Sequence, residues 1–232
     1  MLVAALVAAA GTARLGLWQL DRAEQKLQIQ ARLDERRALP PLQGNALPAV
    51  AAEVPAAQDR AAVVRGRWLA ELTVYLDNRQ IDGRPGFYPV TPLQLADGSA
   101  LLVQRGWLPR DLRDRTRIAP YTTPAGEVQL EGRIAPQVPR LYEFDASASG
   151  PIRQNLELDG FARETRLPLR PWVLIQEARA GDPPDGLLRQ WPAPATGVAK
   201  HHGYAFQWFA LSALVIGLYV WFQLIRPRRQ QR

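Results

Sequence analysis

The chain has 232 residues, no cysteine and one methionine, and its formal net charge is +7. These counts exclude disulfide bonds, thiolate metal sites, iron–sulfur clusters and a copper site built on cysteine and thioether ligands. Its 29 basic residues are scattered among 22 acidic ones rather than gathered with aromatic residues into a binding motif, so we expect no nucleic-acid partner.

Residues 1–20 predict a first transmembrane helix. The stretch is apolar for 13 residues, and Arg14 lies close enough to its end for the side chain to reach the membrane interface. A cleaved signal peptide is the alternative, but no basic region precedes the apolar run and a helical pattern continues beyond it. We expect a retained anchor, followed over residues 21–60 by a helical extension and a Pro- and Ala-rich connector.

Residues 61–180 predict a single, mainly antiparallel β domain. Segments rich in Val, Leu, Tyr and Thr with partial alternation are typical of strands and lie at 61–68, 71–80, 87–95, 100–108, 127–134 and 171–178. Asp97-Gly98 predicts a hairpin turn, residues 81–87 a turn-rich link, and residues 156–165 a helical or irregular stretch. About 120 residues can bury a modest core.

Residues 204–225 predict a second transmembrane helix. The stretch carries no charge, and at about 1.5 Å per residue it spans a hydrocarbon layer of about 30 Å. Tyr204 and Trp208 at one end, and Tyr219 and Trp221 at the other, suit the two membrane interfaces. A Pro-rich connector over 181–203 precedes this helix, and a basic tail over 226–232 follows it.

The tail arginines place the C-terminus in the cytoplasm under the positive-inside bias. Arg22 and Lys26 argue mildly against this orientation, but long domains cross a membrane largely regardless of charge. The predicted fold class is therefore an α+β membrane protein with two transmembrane helices flanking one β domain. We expect a multi-pass protein of a bacterial inner membrane, with both termini cytoplasmic and the central domain periplasmic.

Five motifs occur in a fixed order along the chain: LGLWQLDRAEQK (15–26), GRW (66–68), LDNRQIDGRPGFYPVTPL (76–93), LLVQRGWLPRD (101–111) and HHGYAFQWF (201–209). In order and spacing they resemble the Surfeit locus protein 1 family. The resemblance implies a non-enzymatic assembly factor for haem-copper cytochrome c oxidase, which acts when haem a enters the catalytic subunit. It also implies transient binding of haem a, and oxidase subunit I and haem a synthase as partners in the membrane.

His201 is the haem ligand that the resemblance implies, because the family's histidine lies three positions before the Tyr of the second span, here Tyr204. His202 is the alternative ligand. Lys200 stands where the family commonly has Asn.

Helical spacing of three and four residues supports this position, since it puts His201, Tyr204, Ala205 and Trp208 on one face. Neutral imidazole is a common haem ligand, the dipole of a helix N-terminus disfavours imidazolium, and Ala205 would leave room for a flat ring. The other interpretation is that paired histidines and aromatic rings populate the membrane interface without a cofactor.

Four arginines are candidates for contacts with haem propionates or a partner: Arg14, Arg22, Arg79 and Arg105. The first two belong to a stripe with Trp18 and Lys26 at every fourth position, for which a solvated helix face is the competing interpretation.

Arg79, Arg84, Arg105 and Trp107 lie around the predicted hairpins, where they form either a docking surface or, for Trp107, part of the core. We expect four nearby glycines to serve turns: Gly83, Gly86, Gly98 and Gly106.

Two functions from different classes remain open at this point. The first is a carrier that holds haem a through His201 and delivers it to the oxidase subunit. The second is a cofactor-free scaffold that stabilises an assembly intermediate. An enzyme that modifies haem or lipid is a third possibility, but no catalytic constellation is visible in the sequence.

Overall fold

The computed structural model describes residues 2–142, 150–179, 181–191 and 197–226. The chain divides into two compact units, which are a helical unit formed by Met1–Asp34 with Ala193–Arg232 and a β unit formed by Glu35–Pro192. Apart from Arg226, the predicted basic tail lies outside the described residues, as does most of the Pro-rich stretch just before the last helix.

The helical unit consists of two long helices. Helix α1 runs from Leu2 to Ala38, and helix α4 runs from Val198 to Val220, followed by a π-helical turn at Trp221–Ile225. Both helices are long and apolar enough to cross a membrane. The predicted arrangement of two apolar helices on either side of a β domain in the sequence is therefore confirmed.

The β unit contains nine strands, two short α-helices and three 3-10 turns within its described residues. The strands are β1 (Leu42–Gln43), β2 (Ala61–Trp68), β3 (Val74–Ile81), β4 (Arg84–Gln94), β5 (Ala100–Gln104), β6 (Leu108–Pro109), β7 (Glu127–Ala135), β8 (Ile152–Arg153) and β9 (Leu169–Gln176). The helices are α2 (Val54–Ala57) and α3 (Leu158–Thr165).

The sheet closes on itself. Its strand order is β1-β2-β7-β9-β5-β4-β3-β8, and an additional antiparallel pairing of β2 with β4 joins β2, β7, β9, β5 and β4 into a ring. Most pairings are antiparallel, as predicted, whereas β1–β2, β3–β8 and β5–β9 are parallel. Gly66 permits the closure, because a Cβ at this position would lie 2.2 Å from the Gln94 carbonyl oxygen.

The central strands are buried on both faces. Leu101 and Val103 of β5 belong to one hydrophobic cluster with Trp172, while Leu102 between them belongs to a second cluster with Trp107. Successive side chains of a strand point to opposite faces, so one strand supplies both clusters. Continuous apolar runs rather than clean alternation are the sequence signature of such strands.

The predicted hairpin at Asp97-Gly98 is confirmed, with Gln94 paired to Ala100 on either side of the turn. The predicted turn-rich link over 81–87 is confirmed as a turn, but its length is wrong, because β3 and β4 continue into it and pair Ile81 with Arg84. Asp82 and Gly83 both have positive φ, which suits a two-residue hairpin of the primed type.

Two of the four glycines expected at turns serve packing instead. Gly83 and Gly98 have positive φ in hairpin turns, as expected. A Cβ at Gly86 would lie 2.4 Å from the Trp107 ring, and one at Gly106 would lie 2.7 Å from Leu187 Cβ. Trp107 is 3% exposed and donates from Nε1 to the Arg79 carbonyl at 2.9 Å, so it is a core residue.

A buried guanidinium joins strand β5 to the segment that follows β6. Arg105 is 1% exposed, and its guanidinium carbon lies 4.4 Å from the Trp68 ring centre and 5.0 Å from that of Tyr121. It donates to Thr123 Oγ1 at 2.7 Å and to the Thr122 carbonyl at 3.1 Å. Burial lowers the pKa of Arg105 from its usual value.

Replacing this arginine should destabilise the β unit. Arg105→Ala leaves a gap between two rings and removes the donors to two partly buried oxygens, so we expect the free energy of unfolding to fall by about 2–4 kcal/mol. Urea denaturation of the detergent-purified protein, followed by tryptophan fluorescence, measures the change. Arg65→Ala is the matched control, because Arg65 is exposed and, among the described residues, its side chain hydrogen-bonds only Gln129. Equal effects of the two substitutions would contradict this role of Arg105.

Candidate functional site

The two helices of the helical unit pack antiparallel. Ser212 Oγ donates to the Ala9 carbonyl at 2.9 Å, and His201 Nδ1 lies 2.6 Å from Gln19 Oε1. The contact made later in α1, at Gln19, is thus made earlier in α4, at His201, as expected for antiparallel helices. The two contacts are polar groups on otherwise apolar helices, where hydrogen bonds between helices contribute to association.

Small residues at intervals of seven form the contact face. On α1 the buried positions are Ala9, Gly16 and Ala23, and on α4 they are Ala205 and Ser212. A Cβ at Gly16 would lie 2.8 Å from the Phe209 ring. Small residues at such positions allow two helix backbones to approach closely, which is the common way for membrane helices to associate.

His201 lies in the first turn of α4, on the side that contacts α1. Its ring is partly exposed, and the Gln19 side-chain oxygen faces Nδ1. An amide oxygen can only accept, so when His201 is neutral its proton lies on Nδ1 and Nε2 keeps a lone pair. Within the described residues no hydrogen bond reaches Nε2. A neutral imidazole in this tautomer can bind a metal through Nε2.

Cationic side chains of α1 lie near the same end of the helix pair. Lys26 Nζ is 3.4 Å from where a Cβ of Gly197 would stand, one turn before His201. Arg22 lies three residues beyond Gln19, with its guanidinium carbon 5.7 Å from the Trp18 ring centre. An anionic group carried by a ligand of His201 would therefore meet positive charge on α1.

The four residues expected to share one face of α4 differ in how far they are exposed. Ala205 is 2% exposed and lies between the two polar contacts with α1, so the expectation that it leaves room for a flat ring is wrong. Tyr204 is 52% exposed, and Trp208 is partly buried. His202 is exposed. The proposed contacts of Tyr204 and Trp208 with haem stay predictions.

The remaining candidate arginines lie in two different units. Arg14 is exposed on α1, two turns before Arg22. Arg79 and Arg105 are 4% and 1% exposed in the β unit. Arg79 donates to the Gln154 carbonyl at 2.7 Å, and its guanidinium carbon lies 5.8 Å from the Tyr88 ring centre. Contact of these two buried groups with propionates or a partner stays a prediction.

The β unit also carries surface cavities. One of about 520 Å³ is lined by Arg65, Asp97, Arg170 and Trp172 among others. A second of about 500 Å³ is lined by Arg79, Tyr88, Gln104 and Trp191 among others. Burial raises the pKa of Tyr88, which disfavours a phenolate ligand. Both histidines of the chain belong to the helical unit, so the imidazole site is there.

Gln19 is the site residue that sequence reasoning missed. It lies within the LGLWQLDRAEQK motif, next to Trp18, in a helix that is apolar on its N-terminal side. A polar amide at the end of an apolar helical run needs a hydrogen-bond partner, and this was the sequence signal that could have identified Gln19. The identity of the partner was not readable, since 182 residues separate Gln19 from His201.

The fold and site define a class of protein with one closed β domain and two apolar helices, the second of which begins with a histidine site. The sequence model described as "SURF1 family" matches residues 6–213. The match covers most of the chain, and the protein belongs to this family.

Curated proteins similar to this chain carry SURF1-type names. The chain is 24% identical over 208 residues to the SURF1-like protein of Rickettsia bellii, a match that covers 88% of this chain and 83% of the relative. It is 28% identical over 232 residues to Surfeit locus protein 1 of Homo sapiens, covering 90% of this chain and 72% of the relative.

Enlarging Gly16 should separate the helices. In Gly16→Leu the new side chain would overlap the Phe209 ring, whereas at Gly11 a Cβ would have no neighbour within 4 Å. Because the chain lacks cysteine, Ala9→Cys with Ser212→Cys provides a single oxidative cross-link that reports the contact. We expect a several-fold lower cross-linking yield with Gly16→Leu than with the control Gly11→Leu. Equal yields would show that Gly16 does not set the helix spacing.

Proposed function

We propose that the protein is a cytochrome c oxidase assembly factor that binds haem a through His201 and delivers it to the catalytic subunit of the oxidase. Membership of the SURF1 family supports the assembly role. The observation that carries the haem-binding part is the His201 ring, which Gln19 holds at Nδ1 while Nε2 stays available to iron. Haem a is the cargo in this proposal, and the role requires no catalytic step.

The residues around His201 fit a porphyrin cargo. Neutral imidazole is a usual protein ligand of haem iron. Arg22 and Lys26 would pair with propionates, and the half-exposed Trp18 offers an apolar ring surface beside them. A partly exposed ligand suits transfer, because a partner can approach the cargo without unfolding its holder.

The proposed location is a bacterial inner membrane, with both termini cytoplasmic and the β unit in the periplasm. The apolar lengths of α1 and α4 support two spans, and the arginines in the last seven residues of the sequence support a cytoplasmic C-terminus. His201 would then lie near the outer membrane face. Oxidase subunit I is the proposed recipient, and haem a synthase is the proposed donor.

A cofactor-free scaffold is the second candidate, and the Gln19–His201 contact also favours it. A hydrogen bond between two membrane helices stabilises their association whether or not a metal is present. In this alternative, His201 serves only to hold α4 against α1. The β unit would then stabilise an oxidase intermediate through protein contacts alone.

Haem content of the purified protein separates the two candidates. With haem a synthesis co-expressed, we expect the detergent-purified protein to show haem a absorption that His201→Ala removes and His202→Ala retains, because Gln19 holds only His201. If haem a absorption is lost with His202→Ala and retained with His201→Ala, His202 is the ligand. If all three proteins are colourless while haem a is being made, the scaffold candidate replaces the carrier.

The topology is open to a direct test because any introduced cysteine is unique in this chain. Leu112 is 85% exposed in the β unit, and Gln231 lies in the C-terminal tail. We expect a membrane-impermeant maleimide to label Leu112→Cys in spheroplasts and to label Gln231→Cys only after lysis. Labelling in the reverse order would invert the orientation.

A further inference from the structure

Gln19 makes the one side-chain hydrogen bond to the His201 ring that the described residues show. Gln19 Oε1 lies 2.6 Å from His201 Nδ1, and both side chains are partly exposed. The His201 backbone N–H bonds the Gly197 carbonyl at 3.2 Å within the first turn of α4. The orientation of the imidazole is therefore set from the other helix, through Gln19.

We propose that Gln19 is a positioning residue for the haem ligand: its amide oxygen accepts the Nδ1 proton of His201 and holds Nε2 toward the iron. This inference rests on the proposed function, since it concerns the same site. Metal-binding histidines generally donate their second N–H to an oxygen acceptor, which fixes the tautomer and the ring orientation. Gln19 supplies that acceptor from a helix far away in the sequence.

Helix packing fixes the position of Gln19. It lies three residues after Gly16 and four before Ala23, both of which are buried on the contact face of α1. The Ala9–Ser212 hydrogen bond sets the same register at the other end of the helix pair. The Gln19 amide therefore faces the ring of His201 and not that of His202, the next residue along α4, which is exposed.

The neutral amide suits a cargo that must be released. A carboxylate on Nδ1 raises the basicity of the ligand and favours the oxidised, more positively charged iron, whereas an amide oxygen does so less. Gln19 therefore orients His201 without the strong binding of a histidine–carboxylate pair. Gln19→Leu and Gln19→Glu should therefore have opposite effects on how strongly His201 binds the iron.

The test compares three variants of the full chain in detergent. Titration with haem a measures affinity, and redox titration measures the potential of the bound haem. Without the acceptor, Gln19→Leu should bind about 10–100-fold more weakly. Gln19→Glu should bind at least as tightly as the unaltered protein and shift the potential to lower values. Gln28→Leu is the matched control, because Gln28 is exposed on α1 and, in the part of the chain that the structure describes, its side chain hydrogen-bonds only Glu24.

A readout without haem tests the same inference. In protein labelled with ¹⁵N-histidine, at a pH where imidazole is neutral, long-range proton–nitrogen NMR correlations identify the tautomer. We expect His201 to carry its proton on Nδ1 in the unaltered protein and in Gln28→Leu. In Gln19→Leu this preference should be lost. A purely structural contact would move stability but not the potential of the bound haem.

The outcomes separate the two claims. If the unaltered protein binds haem a and His201→Ala does not, but Gln19→Leu binds as well as the control, the proposed function stands and the role of Gln19 is overturned. The proton of His201 residing on Nε2 would also overturn it. If neither the unaltered protein nor any variant binds haem a, the carrier function fails, and the positioning role fails with it.

Discussion

Close packing of two apolar helices is the constraint on which the candidate site depends. In a membrane the helices gain little from hydrophobic burial against each other, so small residues and interhelical hydrogen bonds determine how they associate. Gly16 accommodates the Phe209 ring, and Ser212 bonds the Ala9 carbonyl. The resulting register brings Gln19 opposite His201. A change in helix spacing would therefore alter the tautomer and orientation of His201, the proposed ligand, without any change in the histidine itself.

Packing inside the β unit accounts for many of the residues in its sequence motifs. Within residues 76–111, Gly86 admits the Trp107 ring, Trp107 bonds the Arg79 carbonyl, and Arg105 is clamped between aromatic rings. Arg79, Gly86 and Trp107 contact one another inside the domain, whereas Arg105 contacts Trp68 and Tyr121. These contacts give the motif residues a role in folding, and contact with a partner stays a prediction. Gly66 of the GRW motif also serves the fold, because its lack of a side chain allows β2 to pair with β4 and close the ring of strands.

The features predictable from the sequence were those with a local signal. The length of the apolar runs predicted both long helices, and Asp97-Gly98 predicted its hairpin. The equivalent signal at Asp82-Gly83 was overlooked because neighbouring Pro and Gly residues suggested a link. The two-residue strands β1, β6 and β8 are too short to show any periodicity. Ring closure depends on pairings between residues distant in the chain. The roles of Gln19 and Ala205 were hidden for the same reason, since both depend on which face of α4 meets α1.

Direct detection of the bond between His201 and iron is the measurement closest to the central claim. Haem a would be bound to protein containing ¹⁵N-labelled histidine, and pulsed electron paramagnetic resonance of the ferric state would record nitrogen couplings beyond those of the porphyrin. The proposal predicts a strongly coupled histidine nitrogen that is present with His202→Ala and absent with His201→Ala. A haem-loaded protein that shows no histidine coupling, or one that persists in His201→Ala, would contradict it.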